Sequence, residues 1–184
     1  MNLKGIAPGP DPPKAIYAVV EIHQGGRNKY EYDPELEIFR LDRVLYSSVQ
    51  YPGDYGFIPG TLAKDGDLLD TLVMTTEPTF TGCLLVTRPV GLLHMRDEKG
   101  DDEKVLAVPL LDPRYKQIKE LEDVAPHFLR EVEHFFKVYK DLEQKTVEIL
   151  GWYKREAAEK AVLESIERAS QHGPSIAQNP TRSR

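Results

Sequence analysis

"CLLVTRPVGLLHMRDEKGDDEKVLAVPL", residues Cys83–Leu110, sets two apolar runs on either side of a charged middle. The outer pieces, 83–95 and 104–110, carry the β-branched and apolar content of strands, and the link between them is too short for a helical crossover. Connections of this length suggest an antiparallel sheet. Four more segments before them show the two-residue period: "AIYAVVEI" from Ala15, "KYEYD" from Lys29, "IFRLDRVL" from Ile38 and "LLDTLVMT" from Leu68. A seventh, "TVEILGWY" from Thr146, comes late. Short strands punctuated by Gly and Pro predict a mainly β chain whose antiparallel sheet curls into a barrel.

Two helices flank these strands near the C-terminus. From Pro126, "PHFLREVEHFFKVYKDLEQ" places Phe128, Leu129, Val132, Phe135, Phe136, Tyr139 and Leu142 on one broad apolar stripe, which predicts a helix running to Gln144. Proline suits its first turn, where a missing N–H is harmless. A second helix, "REAAEKAVLESIERAS", turns Ala158, Ala161, Val162 and Ile166 toward the body and stops at Gly173 and Pro174. Residues 1–172 read as one domain and 173–184 as a disordered tail.

There are 24 Lys and Arg against 30 Asp and Glu, so the net charge of −6 argues against a nucleic-acid partner. No run approaches the roughly 20 apolar residues that cross a bilayer, and the N-terminus lacks a secretory pattern. A cytoplasmic protein with no membrane partner is expected. The single cysteine, Cys83, sits among apolar neighbours and reads as a buried, inert thiol.

Chemistry concentrates in "DGDLLD", Asp65–Asp70. If that segment is extended, Asp65 and Asp67 project to one side about 7 Å apart, at roughly 3.3 Å per residue. Such a spacing brackets a pair of cations about 3.5–4 Å apart, whereas a solvated D-G turn is the plainer alternative. An EF-hand is excluded, because its sixth and twelfth positions would hold Asp70 and Thr76. The acidic run "DEKGDDEK", 97–104, reads either as a hairpin tip in water or as a second cluster in which Asp97 and Asp102 close on the first. All-oxygen ligands suit Mg²⁺ or Mn²⁺; zinc would want His or Cys, and the five histidines show no ligand spacing. Lys29, Arg43, Lys104, Tyr139 and Lys140 supply cations and phenols of the kind a small phosphorylated ligand needs. No Walker loop, dinucleotide fingerprint or G-x-S-x-G elbow is present, so a phosphate site made of side chains and metals is left.

The ordered motifs "KYE", "DRVLYSSVQYPGDYGFIPGTLAKDGD", "MRDEKGDDEK" with "VLAVP", and "HFFKVYKDLE" resemble the soluble, Mg²⁺-dependent, barrel-type inorganic pyrophosphatases of the prokaryotic branch. The resemblance implies a five-stranded OB-like closed barrel with two C-terminal helices, and hydrolysis of pyrophosphate to two phosphates. It implies that Asp65, Asp70 and Asp102 hold a first metal, that Asp70 is shared with a second, and that Asp97 and Asp102 take a further Mg²⁺ arriving with substrate. Asp67 would be the general base, and Lys29, Arg43, Tyr55, Lys104, Tyr139 and Lys140 the phosphate contacts. Glu21 and Glu31 match acidic positions lining the cavity; Tyr51 and Glu98 match supporting ones. Leu68 stands where the family pattern has proline, and Thr71 where it has a small or aliphatic residue. A homohexamer is implied, with His134, Phe135 and Phe136 as interface candidates; a core position serves the two phenylalanines equally well. The residues alone leave two rivals, a barrel-type module that binds a phosphorylated ligand without catalysis, and a metal-dependent phosphatase acting on nucleotides or phosphomonoesters.

Overall fold

The computed structural model describes residues 3 and 5–172, so the tail expected at 173–184 lies outside the described residues. Eight strands and two helices follow in order: β1 (Ile16–Ile22), β2 (Asn28–Asp33), β3 (Ile38–Val44), β4 (Asp54–Phe57), β5 (Asp70–Val73), β6 (Leu84–Asp97), β7 (Gly100–Pro109), α1 (Pro126–Val138), β8 (Glu148–Lys154) and α2 (Arg155–His172). The main sheet runs β1-β4-β5-β7-β6-β8, and β1 also pairs with β6. That extra pairing closes β1, β4, β5, β7 and β6 into a five-stranded ring, the expected barrel. β8 adds to the outside of β6, and β2 with β3 forms a separate two-stranded ribbon.

Three features differ from the sequence reading. The ring is not wholly antiparallel, because β5 and β7 pair in parallel with Asp70 opposite Lys104. The chain between them returns through β6, a 14-residue strand in the wall that runs antiparallel to both β1 and β7. Strand β4, "DYGF", was hidden because all four residues are buried and no alternation survives. A Cβ on its Gly56 would fall 1.9 Å from the Val19 carbonyl oxygen, so the close approach of β1 and β4 requires glycine there. Third, α1 ends at Val138 and the chain re-forms as a 3₁₀ turn over Asp141–Glu143, closed by Gln144 with φ +58. The apolar stripe continued past the point where backbone geometry changed.

Each helix covers a separate core. Val132, Phe135 and Phe136 of α1 pack with Tyr51, Tyr55, Leu93 and Met95. Ala158, Ala161 and Val162 of α2 pack with Ile16, Ile58, Leu69 and Val105. Phe135 and Phe136 are thus core residues of one chain and not interface residues, while His134 is exposed. Cys83 is partly exposed, against expectation. No helix among the described residues is long and apolar enough to cross a membrane.

Candidate active site

The loop joining β4 to β5 places the first acidic cluster. Thr61 donates to the Ile58 carbonyl at 2.6 Å and accepts the Leu69 N–H at 3.0 Å, which pins the base of the loop. Above it the Ala63 N–H reaches the Asp67 carbonyl at 2.7 Å, and the Asp67 N–H reaches Asp65 Oδ1 at 3.1 Å. Gly66 sits between them at φ +92. The segment is therefore a turn and not extended, so the spacing drawn from a straight strand does not apply. It still directs Asp65, Asp67 and Asp70 into one cavity. Leu69 is buried in the core and anchors the turn, Leu68 lines the cavity, and the buried Thr71 hydroxyl donates to the Val105 carbonyl at 3.1 Å. Both departures from the family pattern are accommodated locally.

The second acidic cluster is a hairpin tip, but only in part a solvated one. Asp97 and Gly100 close it. Asp97 accepts from the Lys99 N–H at 2.8 Å and from Lys140 Nζ at 2.7 Å, and its side chain is almost wholly covered. Alternation along β7 then sends Asp102 and Lys104 inward, while Asp101 and Glu103 pair with Arg96 and Lys64 nearer the surface.

Lys104 is the centre of the constellation. Its ammonium lies 2.6 Å from Asp70 Oδ2, 2.9 Å from Asp102 Oδ2 and 3.0 Å from the Tyr55 hydroxyl, which itself donates to Asp70. The parallel register of β5 and β7 makes this meeting possible. Burial opposes the charge on Lys104, but Asp102, Asp70 and Tyr55 outweigh it and hold the ammonium protonated. Burial pushes the Asp102 carboxyl up; Lys104 opposes the shift and Asp70 adds to it. Two carboxylates share one ammonium, so negative charge is left over.

That surplus extends over the cavity, of about 240 Å³, which ten carboxylates and six Lys or Arg line. Burial, with the charge of Asp65, raises the Asp67 carboxyl, and Lys99, 3.8 Å away, opposes it. Among the described residues no three carboxylate, imidazole or thiolate groups are already gathered as a ligand set. The donors are nonetheless all oxygen, crowded and under-neutralised, which fits hard divalent cations.

Glu21 of β1 lies on the cavity wall and accepts the Tyr32 N–H at 2.8 Å. Burial raises its carboxyl from the ordinary 4.5 to about 8, with Asp70 adding to the shift. A folded-state value above the unfolded one means that the native protein binds the extra proton, so this group lowers stability as pH rises from about 4.5 to 8. Glu21→Gln should flatten that slope and stabilise the metal-free protein at pH 8 by on the order of 3 kcal/mol. Urea unfolding from pH 5 to 9 in chelator tests it; an unchanged slope would show that Glu21 titrates normally.

Fourteen of the fifteen residues singled out from the sequence line this one cavity, including Lys29, Glu31, Arg43, Glu98 and Tyr139. Tyr51 does not; it is buried behind Tyr55, ring centroids 5.2 Å apart. Sequence reasoning missed Asp42, Lys99, Asp101 and Lys145 on the cavity wall and Glu143 behind it. Asp42, Lys99 and Asp101 were visible as neighbours of Arg43, Glu98 and Asp102, whereas Glu143 was masked by extending α1 too far and Lys145 follows the turn that replaces the helix there.

The comparisons agree with this geometry. A family model described as inorganic pyrophosphatase matches residues 18–170. The chain is similar to proteins named inorganic pyrophosphatase from Nostoc sp., at 53% identity over 90% of this chain and 98% of that one, and from Methanosarcina mazei, at 53% over 82% and 89%. It is also similar to the crystal structure of inorganic pyrophosphatase from Thermus thermophilus, with TM-score 0.90 and 46% identity, covering 92% of this chain and 99% of that one. With the match spanning the barrel, both acidic clusters and α2, the chain belongs to the inorganic pyrophosphatase family.

Proposed function

We propose that this protein hydrolyses inorganic pyrophosphate to two orthophosphates with Mg²⁺ as its working ion and Mn²⁺ as a substitute, and that the cavity described above is the active site. The observation that carries the reading is the convergence of both acidic clusters with Lys29, Arg43, Lys104 and Lys140 on one small cavity. Phosphate groups alone would be repelled by ten carboxylates, and cations alone would not need six Lys and Arg; a metal–pyrophosphate complex satisfies both sets.

Asp65, Asp70, Asp97 and Asp102 would hold the metals. Bound there, the ions would acidify the attacking water and neutralise phosphate charge. The chain does the rest. Asp67, half-exposed at the cavity edge with its carboxyl raised by burial, takes the proton of the attacking water. The new O–P bond forms as the bridging P–O bond breaks, and the departing phosphate leaves opposite the incoming oxygen. Arg43 and Lys29, a cross-strand pair on the ribbon, approach from one side. Tyr139 and Lys140, at the end of α1, approach from another and bear on the charge that builds on the leaving group. Lys104 and Tyr55 hold Asp70 in place and offer donors to a phosphate. Glu21, Glu31, Glu98 and Tyr51 support these groups. A homohexamer in the cytoplasm belongs to the same reading.

The test is phosphate release by the purified protein from pyrophosphate with Mg²⁺, with excess chelator, and from ATP in place of pyrophosphate. Release from pyrophosphate alone, abolished by chelator, is expected. A folded protein that releases nothing with either Mg²⁺ or Mn²⁺, or that cleaves ATP as well, would overturn the reading.

A further inference from the structure

We infer that Glu143 is a positioning residue for pyrophosphate binding, acting through Arg43; the inference rests on the functional reading above. Glu143, unlike Lys104 and Asp97, does not line the cavity, so it stands behind Arg43 and away from the space a substrate would fill. It accepts from Arg43 Nε at 2.9 Å across a hundred residues of chain.

The ribbon explains why such a bond is needed. Among the described residues β2 and β3 pair only with each other, so no barrel strand is laddered to the outer strand that carries Arg43. An isolated two-stranded ribbon is marginal by itself. Arg43 is also a long side chain with many rotamers, and Asp42 competes for its Nη1. A bond to Nε sets the plane of the guanidinium and leaves Nη2 for a phosphate, with Nη1 joining it when a phosphate displaces Asp42.

Glu143 is itself well placed to act as a clamp. It lies in the 3₁₀ turn three residues after Lys140, and Gln144, in the left-handed region that favours glycine, closes that turn. The Gln144 N–H donates to the Asp141 carbonyl at 3.0 Å. On its other oxygen Glu143 faces Lys145 at 3.9 Å; Lys145 reaches Glu98 at 3.1 Å, and Lys140 joins Glu98 to Asp97. Alternating charges thus connect the ribbon, the end of α1 and the β6–β7 hairpin. Glu143 is the member that ties Arg43 to the other two.

The experiment is steady-state pyrophosphate hydrolysis by wild type, Glu143→Gln, Glu143→Ala, Arg43→Ala and the double Glu143→Ala/Arg43→Ala, with thermal unfolding of each. Glu143→Ala is expected to raise KM about tenfold with kcat changed by less than about threefold, as loss of an outer support for a binding group does. Glu143→Gln, which keeps an acceptor for Nε, should recover most of that. In the Arg43→Ala background the alanine should add less than about twofold, because its route is gone. An unchanged KM, a fall in kcat alone, or effects of Glu143 and Arg43 that multiply would overturn the inference. Should Glu143→Ala unfold, Glu143→Met, which keeps the side-chain volume but also removes the acceptor for Arg43 Nε, takes its place under the same criterion. A wild type that does not cleave pyrophosphate at all sinks the functional reading instead.

Discussion

Lys104→Met should cost the metal-free protein roughly 3–5 kcal/mol, the range for removing one partner of a buried charge pair. The ammonium is 4% exposed and lies between Asp70 and Asp102 at 2.6 and 2.9 Å. Methionine keeps most of the side chain's volume, which packs beside Tyr55 and Phe136, so the loss isolates the charge. The two carboxylates would then face each other without a cation, and the Asp102 carboxyl, which burial already raises and Lys104 holds down, should rise further. The sign follows: destabilisation is full near neutral pH and fades as pH falls and Asp102 protonates. A divalent cation should restore what the ammonium gave, about 2.7 kcal/mol at a hundredfold excess over Kd. Urea unfolding in chelator and in Mg²⁺ decides the matter. A variant as stable as wild type, or one that gains no more from Mg²⁺ than wild type does, would show that Lys104 is not the counter-ion of this pair.

The ion cluster also shows what could be read in advance. Each participant was legible as a residue type in a strand or turn, and the ordered motifs placed them in one family. The register that brings Asp70 opposite Lys104 was not legible, because it depends on a parallel pairing between strands separated by all of β6. Local alternation reports which residues face inward, not which strand lies alongside. β4 was lost for a related reason: "DYGF" is buried on both faces, with Asp54 satisfied by the Gln24 and Thr79 N–H groups and the Thr79 hydroxyl. Burying an aspartate breaks any pattern based on polarity. The error at the end of α1 has the opposite origin. Tyr139 and Leu142 continue the helical period, yet the chain tightens after Val138 and swings Glu143 inward onto Arg43. Sequence periodicity saw the apolar stripe and had no access to the turn.

Asp67→Asn is the second large effect, and it separates chemistry from folding. The change should lower kcat by about 10²–10⁴, the usual contribution of a positioned base. Asparagine keeps the shape and the backbone turn, since the Asp67 N–H still meets Asp65 and its carbonyl still accepts from Ala63. What it lacks is a site for the water's proton. Stability should hardly move: the Asp67 side chain is 37% exposed, its ion pair with Lys99 is long at 3.8 Å, and removing its charge relieves repulsion from Asp65. Surface changes of this kind stay within about 0.5 kcal/mol. The wild-type rate should fall as acid protonates Asp67, whose carboxyl burial has raised, and that acid limb should flatten in the variant. Single-turnover phosphate release over pH, beside unfolding in chelator, makes the comparison. If Asp67→Asn cleaves pyrophosphate within tenfold of wild type, the proton goes elsewhere, and Asp67 has only the electrostatic role its position among Asp65 and Asp70 would give any carboxylate. If kcat collapses while stability holds, the base is assigned: Lys104→Met disturbs the same cavity by destabilising it, whereas Asp67→Asn leaves the cavity standing without its proton acceptor.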